Sequence, residues 1–130
     1  MKYMVISDIH GNINCLNKVL DIYRKEECSK LLILGDLFNY GIDYYREDII
    51  NRLNLMSDNI IAVSGNCDNN IIGIKFAMPY INKTNLNNKL FINPGSISKS
   101  RKGNNSFIIV NDNIITIRNL DNKVIKKFVI

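Results

Sequence analysis

Apolar residues fall along this chain in two alternating rhythms. Tyr3-Met4-Val5-Ile6, Leu31-Leu32-Ile33-Leu34 and Ile60-Ile61-Ala62-Val63 are short apolar runs, each ended by polar residues. Runs of this length read as buried strands. Between them the period changes. Ile13, Leu16, Leu20 and Tyr23, with Val19 alongside, recur at spacings of three and four. That predicts a helix from the capping residue Asn12 to about Glu27. Residues 43–57 predict a second helix, with Ile49, Leu53 and Met56 inward. The first half therefore reads strand–helix–strand–helix–strand. Such alternation argues for a parallel sheet covered on both faces, in an α/β fold. Right-handed crossovers would bring the loops after all three strands to one sheet edge.

The second half is patterned differently. Residues 69–89 are weakly patterned, with Pro79 and a short helix expected near 70–74. Leu90-Phe91-Ile92 is a strand fragment leading into the turn signal Asn93-Pro94-Gly95-Ser96. Lys99 to Asn105 reads as a loop. Ser106–Val110, Ile114–Arg118 and Val124–Val129 are strand-like runs separated by Asn-Asp-Asn and Leu-Asp-Asn turns, which predicts an antiparallel meander. With 130 residues, no internal repeat and no linker, residues 1–130 are expected to form one domain.

Composition narrows the class. Hydrophobic residues make up 46% and charged residues 22%, ordinary for a soluble globular chain. No apolar run approaches a membrane span. Asp8 and His10 interrupt what would be the apolar region of a signal peptide, so a cytoplasmic location without membrane association is expected. Three cysteines, Cys15, Cys28 and Cys67, with no C-x-x-C, indicate neither a disulfide framework nor a zinc knuckle. The net charge is +5, with basic residues at Lys99, Arg101 and Lys102 and at Lys123, Lys126 and Lys127. Two readings are open: a solvated face with charged strand edges, or attraction of anionic ligands. Without interleaved aromatics, specific nucleic-acid binding is not indicated.

The chemistry gathers at the ends of the three parallel strands. They carry Asp8 and His10, then Gly35-Asp36, then Gly65-Asn66-Cys67-Asp68. In open α/β sheets, ligands bind outside the carboxyl ends of the strands. Singly, each residue has an ordinary role open to it: Asp8 as a helix cap, Asp36 as a loop residue, Asn66 as a turn residue, His10 as a loop histidine. Together they form a candidate metal site of Asp8, His10, Asp36 and Asn66. Carboxylates and a neutral imidazole suit Mn, Fe or Zn. A carboxylate from the middle strand can bridge two ions, and two ions can clamp a phosphoryl displacement. Asn66, Gly11 and Asn12 are the candidate phosphate-binding positions. Cys67 reads as packing or pocket lining, because free cysteine is usually buried and inert.

The blocks Asp8-Ile9-His10-Gly11-Asn12, Gly35-Asp36 and Gly65-Asn66-Cys67-Asp68 resemble the first three signatures of the calcineurin-like metallophosphoesterases. The likeness is to their small bacterial and archaeal phosphodiesterase group. Asn93-Pro94-Gly95-Ser96 resembles the segment after that group's last metal-ligand block. The resemblance implies an α/β/β/α sandwich and a dinuclear site hydrolysing phosphoesters. Asp8 and His10 would bind the first metal, Asp36 would bridge, and Asn66 would bind the second. The implied cofactor is a divalent metal, Mn first, with Fe, Zn, Ni and Mg as alternatives, as one or two ions.

The departure from the family is equally specific. Two further blocks, one Gly-His and one Gly-His-x-His in type, supply three more histidine ligands in the family. This sequence has one histidine, His10. The gap falls near 76–93, as an internal deletion would leave it. The first metal keeps three of four expected ligands and the second keeps Asp36 and Asn66. Two functions follow: a metal-dependent phosphodiesterase with a small phosphoester substrate, or a non-catalytic remnant binding a metal, a nucleotide or a protein. Loss of second-sheet strands would leave apolar surface and strand edges, which favours a homo-oligomer.

Overall fold

The first strand lies inside the sheet, and the rest of the chain is laid down on either side of it. The computed structural model describes residues 1–39, 43–68, 71–79, 92–98 and 104–130. In chain order the elements are β1 (Lys2–Ile6), α1 (Ile13–Lys25), β2 (Lys30–Ile33), α2 (Arg46–Asn54), β3 (Ile60–Ala62), β4 (Ser106–Asn111), β5 (Ile114–Asn119) and β6 (Val124–Val129). They form one mixed sheet in the order β3-β2-β1-β4-β5-β6. β1, β2 and β3 are parallel, whereas β4, β5 and β6 run as an antiparallel meander from the other side of β1.

The expected helices form, with shorter ends. Asn12 caps α1, accepting from the Cys15 amide at 3.0 Å. α1 stops at Lys25, because Glu27 turns into the left-handed region (φ 54) and the Cys28 amide closes back on the Tyr23 carbonyl. α2 spans Arg46–Asn54 rather than 43–57. Its first turn has no side-chain cap, and Glu47 and Asp48 there offset the helix dipole instead.

Both helices lie on the same sheet face. Ile13, Leu16, Val19 and Leu20 of α1 and Ile49 and Leu53 of α2 share one core with Met4, Ile6, Leu31, Ile33, Ile60, Ala62, Phe107 and Ile109. The strand register puts those eight strand residues on one face. Of the cover expected on both faces, the described residues supply a helix layer on this one. The crossovers β1→β2→β3 step in one direction, and right-handed crossovers in one direction stay on one side. The opposite face carries Tyr3, Val5, Leu32, Ile61 and Ile108, and Ile61 on edge strand β3 is 56% exposed. The described residues thus supply the helix layer and one sheet of the expected sandwich.

The short helix near 70–74, the strand fragment at Leu90–Ile92 and the loop from Lys99 to Asn105 lie partly outside the described residues. Residues 71–74 and Ile92 are irregular. At the edge of the sheet remote from the strand carboxyl ends, Glu26 gathers three partners. It accepts from Asn122 Nδ2 at 2.8 Å and Arg118 Nη1 at 3.0 Å, and Lys2 Nζ lies 3.5 Å away. The Asn122 amide, helped by the Arg118 and Lys2 charges, holds the Glu26 carboxyl below the usual range against the opposing effect of burial.

Candidate metal centre

Because β1, β2 and β3 are parallel and adjacent, the turns that leave them lie side by side. The turns after β1 and β2 are laced by three backbone bonds: Asp8 N to Gly35 O (3.2 Å), His10 N to Asp36 O (3.0 Å) and Gly11 N to Leu37 O (2.8 Å). Asp8 (φ 56), His10 (φ 48) and Asp36 (φ 55) all sit in the left-handed region. For residues with a Cβ this costs about 1–3 kcal/mol each, and such strain collects at functional sites. The lacing holds it in place.

One ligand atom from each of Asp8, His10 and Asp36 lies within 4.8 Å of the other two. His10 Nε2 is 3.2 Å from Asp8 Oδ1, while Nδ1 is buried without a hydrogen-bond partner. Among the described residues, the imidazole therefore meets its polar neighbours through Nε2. Burial, then the hydrogen bond and charge of Asp36, push the Asp8 carboxyl above its ordinary range, and His10 only partly offsets this. Two half-buried carboxylates and an imidazole converging on one point match the hard-to-borderline donor set of a divalent ion.

The third strand contributes through its turn. The Cys67 amide donates to Asp36 Oδ1 at 3.0 Å. A Cβ on Gly65 would collide with that same Asp36 oxygen, so glycine is needed for the approach. Asn66 stands between these two residues, exposed, on the turn that abuts the Asp36 carboxylate. Asp68 accepts from backbone amides of the Asp36 turn.

The remaining sequence-predicted positions serve mixed ends. Gly11 donates its amide to Leu37, and the Asn12 side-chain oxygen is committed to capping α1. Both nonetheless line an open groove of ≈ 360 Å³ beside His10, whose other walls include Asn39, Tyr44 and Tyr45. The Asn93–Ser96 turn also reaches the site. β4 is antiparallel to β1, so the segment entering β4 meets the chain leaving β1. There Ser96 Oγ (3.2 Å) and Ser98 Oγ (2.7 Å) both donate to the Asp8 carbonyl. Sequence reasoning missed three residues: Ser98, Asn39, which donates to the His10 carbonyl at 2.8 Å, and the clamping role of Asp68. Only the turn signal at 93–96 and the acid three residues after Gly65 pointed toward them.

Known proteins resemble this chain. Phosphodiesterase YfcE from Escherichia coli (strain K12) is 36% identical over 77 residues, covering 55% of this chain and 42% of that protein. The uncharacterized protein MJ0912 from Methanocaldococcus jannaschii is 38% identical over 80 residues, covering 61% of this chain and 30% of its own length. Each match thus spans less than half of the relative. Among solved structures, the E. coli phosphoesterase YfcE aligns with a TM-score of 0.83 at 23% identity, over 99% of both chains. A conserved uncharacterized protein from Streptococcus pneumoniae TIGR4, a predicted phosphoesterase, aligns at 0.55 and 17%, over 98% of this chain and 97% of that one. At these identities the structures speak for the fold. The profile of the calcineurin-like phosphoesterases matches residues 1–128, from the first strand into the last. The chain belongs to the calcineurin-like phosphoesterase family.

Proposed function

We propose that this chain is a metal-dependent phosphoesterase acting on small phosphodiesters. The observation that carries the reading is the convergence of Asp8, His10 and Asp36 within 4.8 Å at the carboxyl edge of the parallel strands. Those three residues would hold a divalent ion, Mn first, and Asp36 with Asn66 would offer a weaker second position completed by water. A cation so held supplies Lewis-acid charge at the phosphoryl oxygens and eases deprotonation of the attacking water. The chain's own part is orientation. The Asn66 amide would donate to a phosphoryl oxygen, and the groove walled by Tyr44 and Tyr45 would give room for one ester arm. We place the protein in the cytoplasm and, from the apolar second face bearing Ile61, expect it to self-associate.

A second reading is favoured by one fact, the single histidine. With three protein ligands at one position and two at the other, the site would bind a metal, nucleotide or partner without turnover. Manganese stoichiometry, measured alongside hydrolysis of bis-p-nitrophenyl phosphate, separates the two. Turnover by the wild type that is lost in Asp36→Asn supports the esterase. Metal binding without turnover supports the binding module, and absence of both overturns the proposal.

A further inference from the structure

We propose that Asp68 is the positioning residue of the metal centre, clamping the turn after β2 so that Asp36 is presented in a single orientation. This rests on the metal-site reading above.

The Asp68 carboxylate accepts three backbone amides. Its Oδ2 accepts from the Asp36 amide at 2.6 Å and the Gly65 amide at 2.8 Å. Its Oδ1 accepts from the Leu37 amide at 2.8 Å. Two of these donors flank the Asp36 Cα, and the third begins the turn that carries Asn66. Asp36 answers in kind, since its Oδ1 accepts from the Cys67 amide. Each acid is thus bonded to the backbone of the other's turn, across 32 positions of sequence.

The arrangement suits the task. Asp36 holds a left-handed φ of 55, which an L-residue keeps only when its surroundings impose it. Three charge-assisted bonds converging on one carboxylate impose it strongly. An ionised carboxylate is acceptor-only at both oxygens, whereas an amide has one acceptor and one donor end. Asparagine at 68 would therefore set its NH2 against at least one backbone N–H. Asp68 lies outside the Asp8–His10–Asp36 group, so its effect on a cation runs through Asp36.

The test is titration of the full-length protein with Mn2+ by calorimetry, for the wild type, Asp68→Asn and Glu26→Gln. The last is a stability control at the opposite sheet edge. Asp68→Asn is expected to keep the wild-type circular dichroism and bind Mn2+ about 10- to 100-fold more weakly, as loss of an outer-sphere support does. Glu26→Gln is expected to be less stable yet bind Mn2+ as the wild type does. If Asp68→Asn does not fold, Asp68→Glu carries the test. It keeps the charge but moves the oxygens by one methylene, and weaker binding is again expected. Unchanged affinity in the Asp68 variant overturns the inference while leaving the metal site standing. An equal loss in Glu26→Gln also overturns it, because the effect would then follow stability alone. Failure of the wild type to bind Mn2+ overturns the metal-site reading and this inference with it.

Discussion

Gly35 and Gly73 make a matched pair for testing how tightly the strand-end turns are packed. Both have positive φ, 105 and 93. Alanine at either position pays the left-handed backbone penalty of about 1–2 kcal/mol. Both substitutions also reduce the freedom of the unfolded chain by a similar amount, which cancels in the comparison. They differ in what the new methyl meets. At Gly73 its nearest neighbour is Ile50 Cγ2 at 3.8 Å, an ordinary contact. At Gly35 it collides with the Gly65 amide nitrogen and lies 2.7 Å from Gly65 Cα, and backbone there cannot swing aside. The turns after β2 and β3 must separate. That strains the bonds from the Asp36 and Gly65 amides to Asp68, and bonds to charged groups contribute about 1.5–3 kcal/mol each. Gly73→Ala is expected to lose about 1–2 kcal/mol, and Gly35→Ala a further ~1.5–3 kcal/mol if one such bond is lost. Urea unfolding followed by circular dichroism measures both, with m values compared to check that the same transition is seen. Equal losses would refute the reasoning, since they would mean the two turns separate freely.

Two further outcomes follow. Glu26 has a depressed folded-state pKa, so its contribution to stability is fully present above its ordinary value of 4.5 and is lost as pH falls through the lower folded value. Glu26→Gln should cost about 1–2 kcal/mol at pH 7 and flatten the acid limb of the stability curve, as read by urea midpoints from pH 7 to 3. A parallel acid limb in both proteins would contradict this. Light scattering of the purified chain should report a mass above the 14.9 kDa monomer, and Ile61→Lys should lower it. A monomer at high concentration would count against self-association.

The candidate site residues were legible because each sits where a strand pattern stops. Asp8, His10, Asp36 and Asn66 are named by apolar runs that end in ligand-type side chains, and the blocks around them carry the family likeness. What supports them was not legible. Ser98 reaches the Asp8 carbonyl across 90 positions, and Asp68 reaches the Leu37 amide across 31. No local periodicity encodes such pairings. The end of α1 was misplaced by two residues, because a left-handed Glu27 is a backbone choice that a glutamate does not announce.

By itself, the sequence determined the elements, the parallel first half, the meander and the candidate ligand residues. These follow from side-chain period and chain direction, which are local or nearly so. Only the tertiary structure decided that both helices share one sheet face, that β4 runs beside β1 and brings Ser96 and Ser98 to Asp8, and that the Asp36 amide donates to Asp68 while the Asp36 carboxylate accepts from the Cys67 amide. Those facts depend on which strands are neighbours, and strand order is set by burial summed over the whole sheet. The left-handed backbone at Asp8, His10 and Asp36 belongs to the same class, because contacts from three separate turns are needed to hold it.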